Sequence, residues 1–253
     1  MRLQGHHALV TGGGTGIGAA IARSLHGEGA RVTLAGRREG PLRAVADTLP
    51  GAGWTAMDVT DPASVEAGVA AAREVHGPVT ILVNNAGAAE SAPFHKLDLE
   101  GWRRMTAVNL DGVFLVTRAC FADLRAAPAG RIVTVASTAG RKGYPYVAAY
   151  VAAKHGAVGL TRALAAELAG TDVTVNAVCP GFTDTDLVAA SAEVISRASG
   201  RSADEARAEL ARSNPQRRLI RPDEVANAVL WLCSAESASV TGQTIMVDGG
   251  EVA

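Results

Sequence analysis

His7-Ala8-Leu9-Val10-Thr11-Gly12-Gly13-Gly14-Thr15-Gly16-Ile17-Gly18 reads as a short apolar strand, a glycine-rich turn and the start of a helix. Glycines in such a turn accept tight backbone angles and let the main chain approach a bound group closely. The helix that follows directs its positive end and its unpaired N–H groups at the same point. A glycine pattern alone has many false matches, and this chain has 28 glycines. The strand before the turn and the helix after it make Gly12, Thr15, Gly16, Ile17 and Gly18 candidates for holding a pyrophosphate.

The alternation continues outward from this turn. β-rich runs lie at 7–11, 31–35, 54–58, 81–84, 131–137, 173–178 and 244–248. Ala-rich helical stretches separate them at 18–27, 40–48, 62–76, 102–126, 149–168 and 222–232. Strand then helix, repeated, argues for βαβ units around a parallel sheet, an α/β fold class. Asp61-Pro62 and Arg221-Pro222-Asp223-Glu224 read as helix starts, with proline in the first turn and acids nearby. No linker, composition break, repeat or low-complexity tract divides residues 1–253, which predicts a single domain.

One stretch, 186–219, breaks the rhythm. It reads as two short helices, 187–199 and 203–212, the second opened by a capping box at Ser202-Ala203-Asp204-Glu205. Its position before the final βα unit suits a small helical lid over a site, or equally a surface that packs on a neighbouring subunit.

Hydrophobic residues make up 48% of the chain but aromatics only 4%, so the core is built from Ala, Val, Leu and Ile. That composition suits helices packed on a buried parallel sheet. A formal net charge of −1 supplies no field to attract nucleic acid or an anionic membrane. No apolar run reaches the roughly 20 residues needed to cross a bilayer. Met1-Arg2-Leu3-Gln4-Gly5-His6-His7 lacks the apolar stretch of a signal peptide. The expectation is a soluble cytoplasmic protein without nucleic-acid or membrane partners. Cys120, Cys179 and Cys233 lie in apolar sequence and read as buried free thiols. The six histidines show no ligand spacing, and no metal is expected.

About 20 residues past the glycine turn, where an acidic residue would bind ribose hydroxyls, the chain reads Leu34-Ala35-Gly36-Arg37-Arg38-Glu39. No carboxylate stands where it would repel a 2′-phosphate, and Arg37 and Arg38 offer charge-assisted donors to one. The residues favour NADP(H), and Glu39, which partly offsets the arginines, leaves NAD(H) open. Tyr150-Val151-Ala152-Ala153-Lys154 places a phenol and an ammonium on one face of a helix. A phenol has a pKa of about 10, and a cation one turn away is expected to bring it toward the working range. Ser137, thirteen positions upstream of Tyr150, ends a strand, where α/β sheets gather their ligands. Two hydroxyls aimed at a carbonyl oxygen stabilise the charge that hydride transfer leaves there, and the more acidic one delivers a proton. The pattern describes an enzyme that moves a hydride and a proton between a nicotinamide and a carbonyl or secondary alcohol.

These pieces, Thr11 to Gly18, Asp58-Val59, Asn84-Asn85-Ala86-Gly87, Val108-Asn109, Ser137, Tyr150 with Lys154, and Pro180-Gly181 with Thr185, stand in a specific order. Over essentially its whole length the chain resembles the short-chain dehydrogenase/reductase family. The resemblance implies one Rossmann-type domain: a doubly wound, seven-stranded parallel sheet in the order 3-2-1-4-5-6-7 with helices on both faces. It also implies a homotetramer or dimer packed through the helices that carry Asn109 and Tyr150. By the same resemblance, Tyr150 is the acid in reduction and the base in oxidation. Lys154 lowers its pKa and holds the nicotinamide ribose, Ser137 bonds the substrate oxygen, and Asn109 supports a water that relays protons. Asp58 and Val59 contact the adenine, and Asn85, Ala86 and Gly87 line the cofactor. Pro180 and Gly181 belong to the cofactor-binding set with Thr185, which meets the nicotinamide carboxamide and phosphates. Thr183 departs from the family, where an aliphatic residue is common.

The substrate is less legible. Phe94, Tyr144, Pro145, Tyr146 and Phe182 suit an apolar wall, with ordinary loop packing as the other reading. Arg141, Lys142, Arg201, Arg207, Arg212, Arg217, Arg218 and Arg221 would form a rim for a coenzyme A or carrier-protein phosphate. Interleaved acids make a charge-paired face the simpler reading for most of them. Val135 to Gly140 and Val175 to Phe182 are similar to 3-oxoacyl-thioester reductases, including polyketide ketoreductases, and the long lid is similar to 3-hydroxybutyrate dehydrogenases. The expected activity is 3-oxoacyl (thioester) reduction or its reverse. A cyclic or secondary alcohol dehydrogenase is the alternative, and a non-catalytic cofactor sensor a distant one.

Overall fold

Four strands, β1 (His7–Thr11), β4 (Ile81–Asn84), β5 (Arg131–Val135) and β6 (Thr174–Pro180), are buried at every residue. Continuous burial of this kind requires a sheet covered on both faces. With β2 (Arg31–Gly36), β3 (Gly53–Ala56) and β7 (Thr244–Val247) they form one sheet, ordered β3-β2-β1-β4-β5-β6-β7. Every pairing is parallel, with Leu9 opposite Thr33 on one side and Leu82 on the other. The computed structural model describes residues 1–252, and of Ile195, Ala198 and Ser199 the backbone alone.

The helices form two layers. α1 (Gly16–Gly27), α2 (Glu39–Ala46) and α9 (Pro222–Cys233) bury Ile21, Leu25, Leu42, Val229 and Leu232 against one face. α3 (Pro62–His76), α5 (Gly112–Ala126) and α6 (Ala148–Glu167) cover the other, around Val69, Val116, Leu82 and Ile132. Each such side chain contributes about 1.5–3 kcal/mol when removed from water. The chain leaves β1 on one face and β4 on the other, so the carboxyl ends of these neighbours open a crevice.

Several boundaries differ from the sequence reading for identifiable reasons. β3 stops at Ala56, short of Asp58, because Asp58 Oδ1 accepts the Thr60 N–H at 2.9 Å and turns the chain. β5 stops at Val135, and Ser137 caps a short turn through a 3.1 Å bond from the Ala139 N–H. The helix expected at 102–126 starts earlier, at α4 (Leu99–Thr106), where Asp98 accepts the Gly101 N–H at 2.7 Å. One π turn, Ala107–Asp111, joins α4 to α5. The combined Leu99–Ala126 helix is 28 residues long and, by length and composition alone, apolar enough to cross a bilayer. In the fold its apolar residues serve the core, packed against α3 and α6.

The two lid helices form as α7 (Asp186–Ser199) and α8 (Ala203–Arg212), and the Ser202–Glu205 capping box closes in both directions. Arg207 ties α8 to Asp184 at 2.7 Å, and Thr183 pairs with Ile220 in an isolated parallel bridge.

Candidate active site

The crevice between β1 and β4 begins at the glycine turn. Gly12 and Gly16 have φ of +64° and +51°, a region that side chains other than hydrogen rarely enter. A Cβ on Gly12 would stand 2.9 Å from Asn85 Nδ2. That closeness reflects a stitch between the two strand ends: Asn85 Nδ2 donates to Thr11 O at 2.9 Å, and Thr11 Oγ1 accepts the Asn85 and Ala86 N–H groups at 3.0 Å. Thr185 lies over the turn, its Cγ2 3.0 Å from where a Cβ on Gly16 would be.

A cavity of 560 Å³ runs from this turn to the candidate catalytic residues. Its wall includes Gly12, Thr15, Gly16, Ile17 and Gly18 at one side and Arg37, Arg38, Asp58 and Val59 at one end. Asn85, Ala86, Gly87, Asn109, Tyr150, Lys154 and Thr185 complete it. A groove with bare glycines at a helix N-terminus and two exposed guanidiniums beyond fits a dinucleotide. Asp58 is held below the usual carboxylate range, chiefly by the Thr60 N–H.

At the other end Lys154 is buried, and its Nζ donates to Val135 O at 3.0 Å. Gly87 makes the room: a Cβ there would meet Asn109 Oδ1 at 3.0 Å and Lys154 Nζ at 3.6 Å. Burial pulls the Lys154 pKa down to about 8. The ammonium lies 5.6 Å from the centre of the Tyr150 ring. Burial raises the Tyr150 phenol above its ordinary value, while a hydrogen bond from Ser137 pulls it back. The expected lowering is not seen in the protein alone, where desolvation is the largest cause and moves the phenol up. Ser137 Oγ accepts the Ala139 N–H, which leaves its proton free to donate. Asn109 is fully buried in the π turn, and its Nδ2 donates to Ala88 O at 2.8 Å and Met105 O at 3.0 Å. It thus pins the 85–88 loop to the helix.

Pro180 and Gly181 do not line the cavity. Both are drawn into the β6–β7 edge, Pro180 opposite Val247 and the Gly181 N–H bonded to Val247 O at 3.1 Å. Thr183 is buried and bonds Gly181 O at 3.0 Å through its hydroxyl.

Residues 12–251 match the family model described as enoyl-(acyl carrier protein) reductase, a short-chain dehydrogenase/reductase model. The chain is a short-chain dehydrogenase/reductase. It is similar to 3-oxoacyl-(acyl-carrier-protein) reductase FabG of Escherichia coli, 38% identical over 99% of this chain and 98% of that one. Cis-4-hydroxycyclohexanecarboxylate dehydrogenase of Sinomonas cyclohexanicum is 42% identical over 97% of this chain and 96% of its own. A solved variant of actinorhodin polyketide ketoreductase with NADPH superimposes with a TM-score of 0.94 at 41% identity, covering 98% of this chain and 97% of that chain. The protein is accordingly an NAD(P)-dependent oxidoreductase that interconverts a carbonyl and a secondary alcohol.

The mouth of this dehydrogenase/reductase is only partly what its sequence implied. Tyr144 and Phe182 meet edge to face at 6.3 Å, but Phe94 and Tyr146 are 76% and 64% exposed and do not join that wall as it stands. The lid cations are engaged by acids: Arg207 by Asp184, Arg212 by Glu209, Arg218 by Glu224 and Arg221 by Asp223. Sequence reading missed Glu90 and Arg104, which line the cavity and pair at 3.2 Å. Nothing in their local sequence marks them, because they meet only through the fold. Tyr146, read in the sequence as part of that wall, is instead held at φ +66° with its carbonyl accepting the Ala92 N–H at 2.7 Å.

Proposed function

We propose that the protein reduces 3-oxoacyl thioesters, carried on coenzyme A or a carrier protein, with NADPH as hydride donor. The observation that carries this reading is the pair Tyr150 and Lys154 at the far end of a cavity whose near end is the glycine turn, with Ser137 hydrogen-bonded to Tyr150 beside it. When bound, the dinucleotide supplies the hydride to the carbonyl carbon. Ser137 donates a hydrogen bond to the carbonyl oxygen and Tyr150 transfers its proton there as charge develops. Lys154 holds the nicotinamide ribose hydroxyls, and Asn109 supports the water that returns protons toward Lys154. Asp58 and Val59 take the adenine. Asn85, Ala86, Gly87 and Thr185 orient the remainder, with Pro180 and Gly181 fixing the loop before Thr185.

The exposed Arg37 and Arg38 at the cavity end support NADP(H) over NAD(H). The names of the relatives support the thioester, and a chain acting as one domain, 1–253, leaves the substrate to the loops around Tyr144 and the lid. Leu99, Trp102 and Phe114, between 38% and 60% exposed on the Leu99–Ala126 helix, support a homotetramer, with a dimer as the alternative. Three free, buried cysteines agree with a cytoplasmic setting.

The similarity to a hydroxycyclohexanecarboxylate dehydrogenase favours one second reading, oxidation of a cyclic secondary alcohol. NADPH oxidation by the purified protein with acetoacetyl-CoA separates the two. Rapid turnover is expected. Inertness toward 3-oxoacyl thioesters with fast reduction of cyclic ketones would overturn the thioester reading.

A further inference from the structure

Glu251, in the turn after β7, is a carboxylate with no place in the chemistry above, yet its side chain is only 1% exposed. Its Oε1 accepts the Tyr144 hydroxyl proton at 2.5 Å and faces Lys142 Nζ at 3.2 Å. The Tyr144 oxygen in turn accepts from Thr138 Oγ1 at 2.7 Å, and Thr138 directly follows Ser137. Lys142 also donates to the Glu251 backbone carbonyl at 3.3 Å and stands 4.9 Å over the Tyr144 ring. On its other side Glu251 Oε2 has no hydrogen-bond partner and lies 3.0 Å from where a Cβ on Gly181 would be. Two bonds hold the turn itself: Asp248 accepts the Gly250 and Val252 N–H groups at 3.0 and 2.9 Å.

A buried carboxylate requires compensation, and here it comes from Tyr144 and Lys142, on the segment that follows Ser137. The chain Thr138 to Tyr144 to Glu251 fastens the segment that carries Ser137. It also fixes the Tyr144 ring against Phe182 across the mouth. We propose that Glu251 is a positioning residue for the carbonyl site: through Tyr144 and Thr138 it holds the Ser137 turn in place and sets the Tyr144–Phe182 wall that the substrate meets. The assignment rests on the carbonyl-reducing reading of the site.

Glu251→Ala, Glu251→Gln and Tyr144→Phe test it. Glu251→Ala is expected to lower kcat on the substrate by about ten- to hundred-fold, the scale of a reacting group displaced by about 1 Å. NADPH affinity, measured by fluorescence titration, should stay at the wild-type value, since Glu251 touches none of the cofactor wall. Glu251→Gln, whose amide oxygen still accepts the Tyr144 proton, should restore most of kcat, and Tyr144→Phe should repeat the alanine defect. Hydrogen exchange should quicken at Arg141 and Lys142, whose N–H groups bond Thr138 O.

Wild-type kcat and KM with unchanged exchange in Glu251→Ala would overturn the proposal. So would a parallel fall of kcat, NADPH affinity and melting temperature in both Glu251 variants, which marks a residue needed only for folding. A wild type that reduces no carbonyl sinks the functional reading alone, and the exchange result then decides the Glu251 clamp.

Discussion

Lys154 carries an ammonium into a place where a neutral group would sit more comfortably. With its pKa drawn from 10.5 to about 8 by burial, the charged form is disfavoured in the fold by about 3 kcal/mol. The unfolded chain keeps its proton up to about 10.5, so this penalty is present at neutral pH, fades as pH rises from 8, and vanishes above 10.5. Lys154→Met should therefore abolish turnover yet raise the melting temperature at pH 7, and the gain should disappear near the lysine's unfolded pKa. A thermal scan at both pH values checks this; a variant less stable at pH 7 would contradict it. Arg37 acts in the opposite manner, exposed and available to an incoming phosphate. Arg37→Ala should weaken NADPH by about 1–3 kcal/mol, the scale of a charge-assisted bond, and barely alter NADH. Equal losses for the two cofactors in a binding titration would show that this arginine does not read the 2′-phosphate.

The π turn at Ala107–Asp111 is the element that the sequence concealed. A continuous apolar pattern at 102–126 announced a helix, and a helix is there, but one local widening turns Asn109 inward to bond Ala88 and Met105. No periodicity in the chain marks that shift, because its reason is a hydrogen-bond partner from a distant loop. Asn109→Ala leaves two buried carbonyls without their donor and should destabilise the protein by about 1–3 kcal/mol. It should also slow turnover more than it weakens NADPH, since the 85–88 loop loses its pin; equal loss of both would argue for a purely structural asparagine. Elements whose signals were local came through well. The strand at 7–11, the helix at 62–76 and the capping box at Ser202 formed as read. Tyr150, Lys154 and Ser137 were legible because spacing on one helix and at one strand end fixes where they meet. Pro180 and Gly181 lie off the cavity lining because their backbone is taken up by β7, which no local pattern announces.

The whole molecule has its chemistry at the carboxyl end of the sheet and a pH liability at the other. His7, fully buried at the start of β1, donates from Nδ1 to Gly77 O at 2.8 Å, and its Nε2 meets Thr33 Oγ1 at 2.9 Å. Burial lowers its pKa from 6.5 to about 4, and His6 and His76 are lowered for the same reason. Below 6.5 the unfolded chain takes up a proton that the folded chain refuses until about 4, so stability falls across that window. The loss from His7 is about 3 kcal/mol, and His7→Gln should flatten the decline in urea unfolding between those pH values. Glu28 and Glu224, held at about 2 by Arg2 and Arg218, lose their contribution only below the ordinary carboxylate value of 4.5, which separates the two effects. The claim on which everything else depends is that Tyr150 delivers the proton. Turnover and NADPH binding should be measured side by side in the wild type and in Tyr150→Phe, with acetoacetyl-CoA as substrate. The account predicts that the variant binds NADPH as the wild type does and loses nearly all turnover. Turnover retained in Tyr150→Phe would contradict it, since the proton would then come from elsewhere.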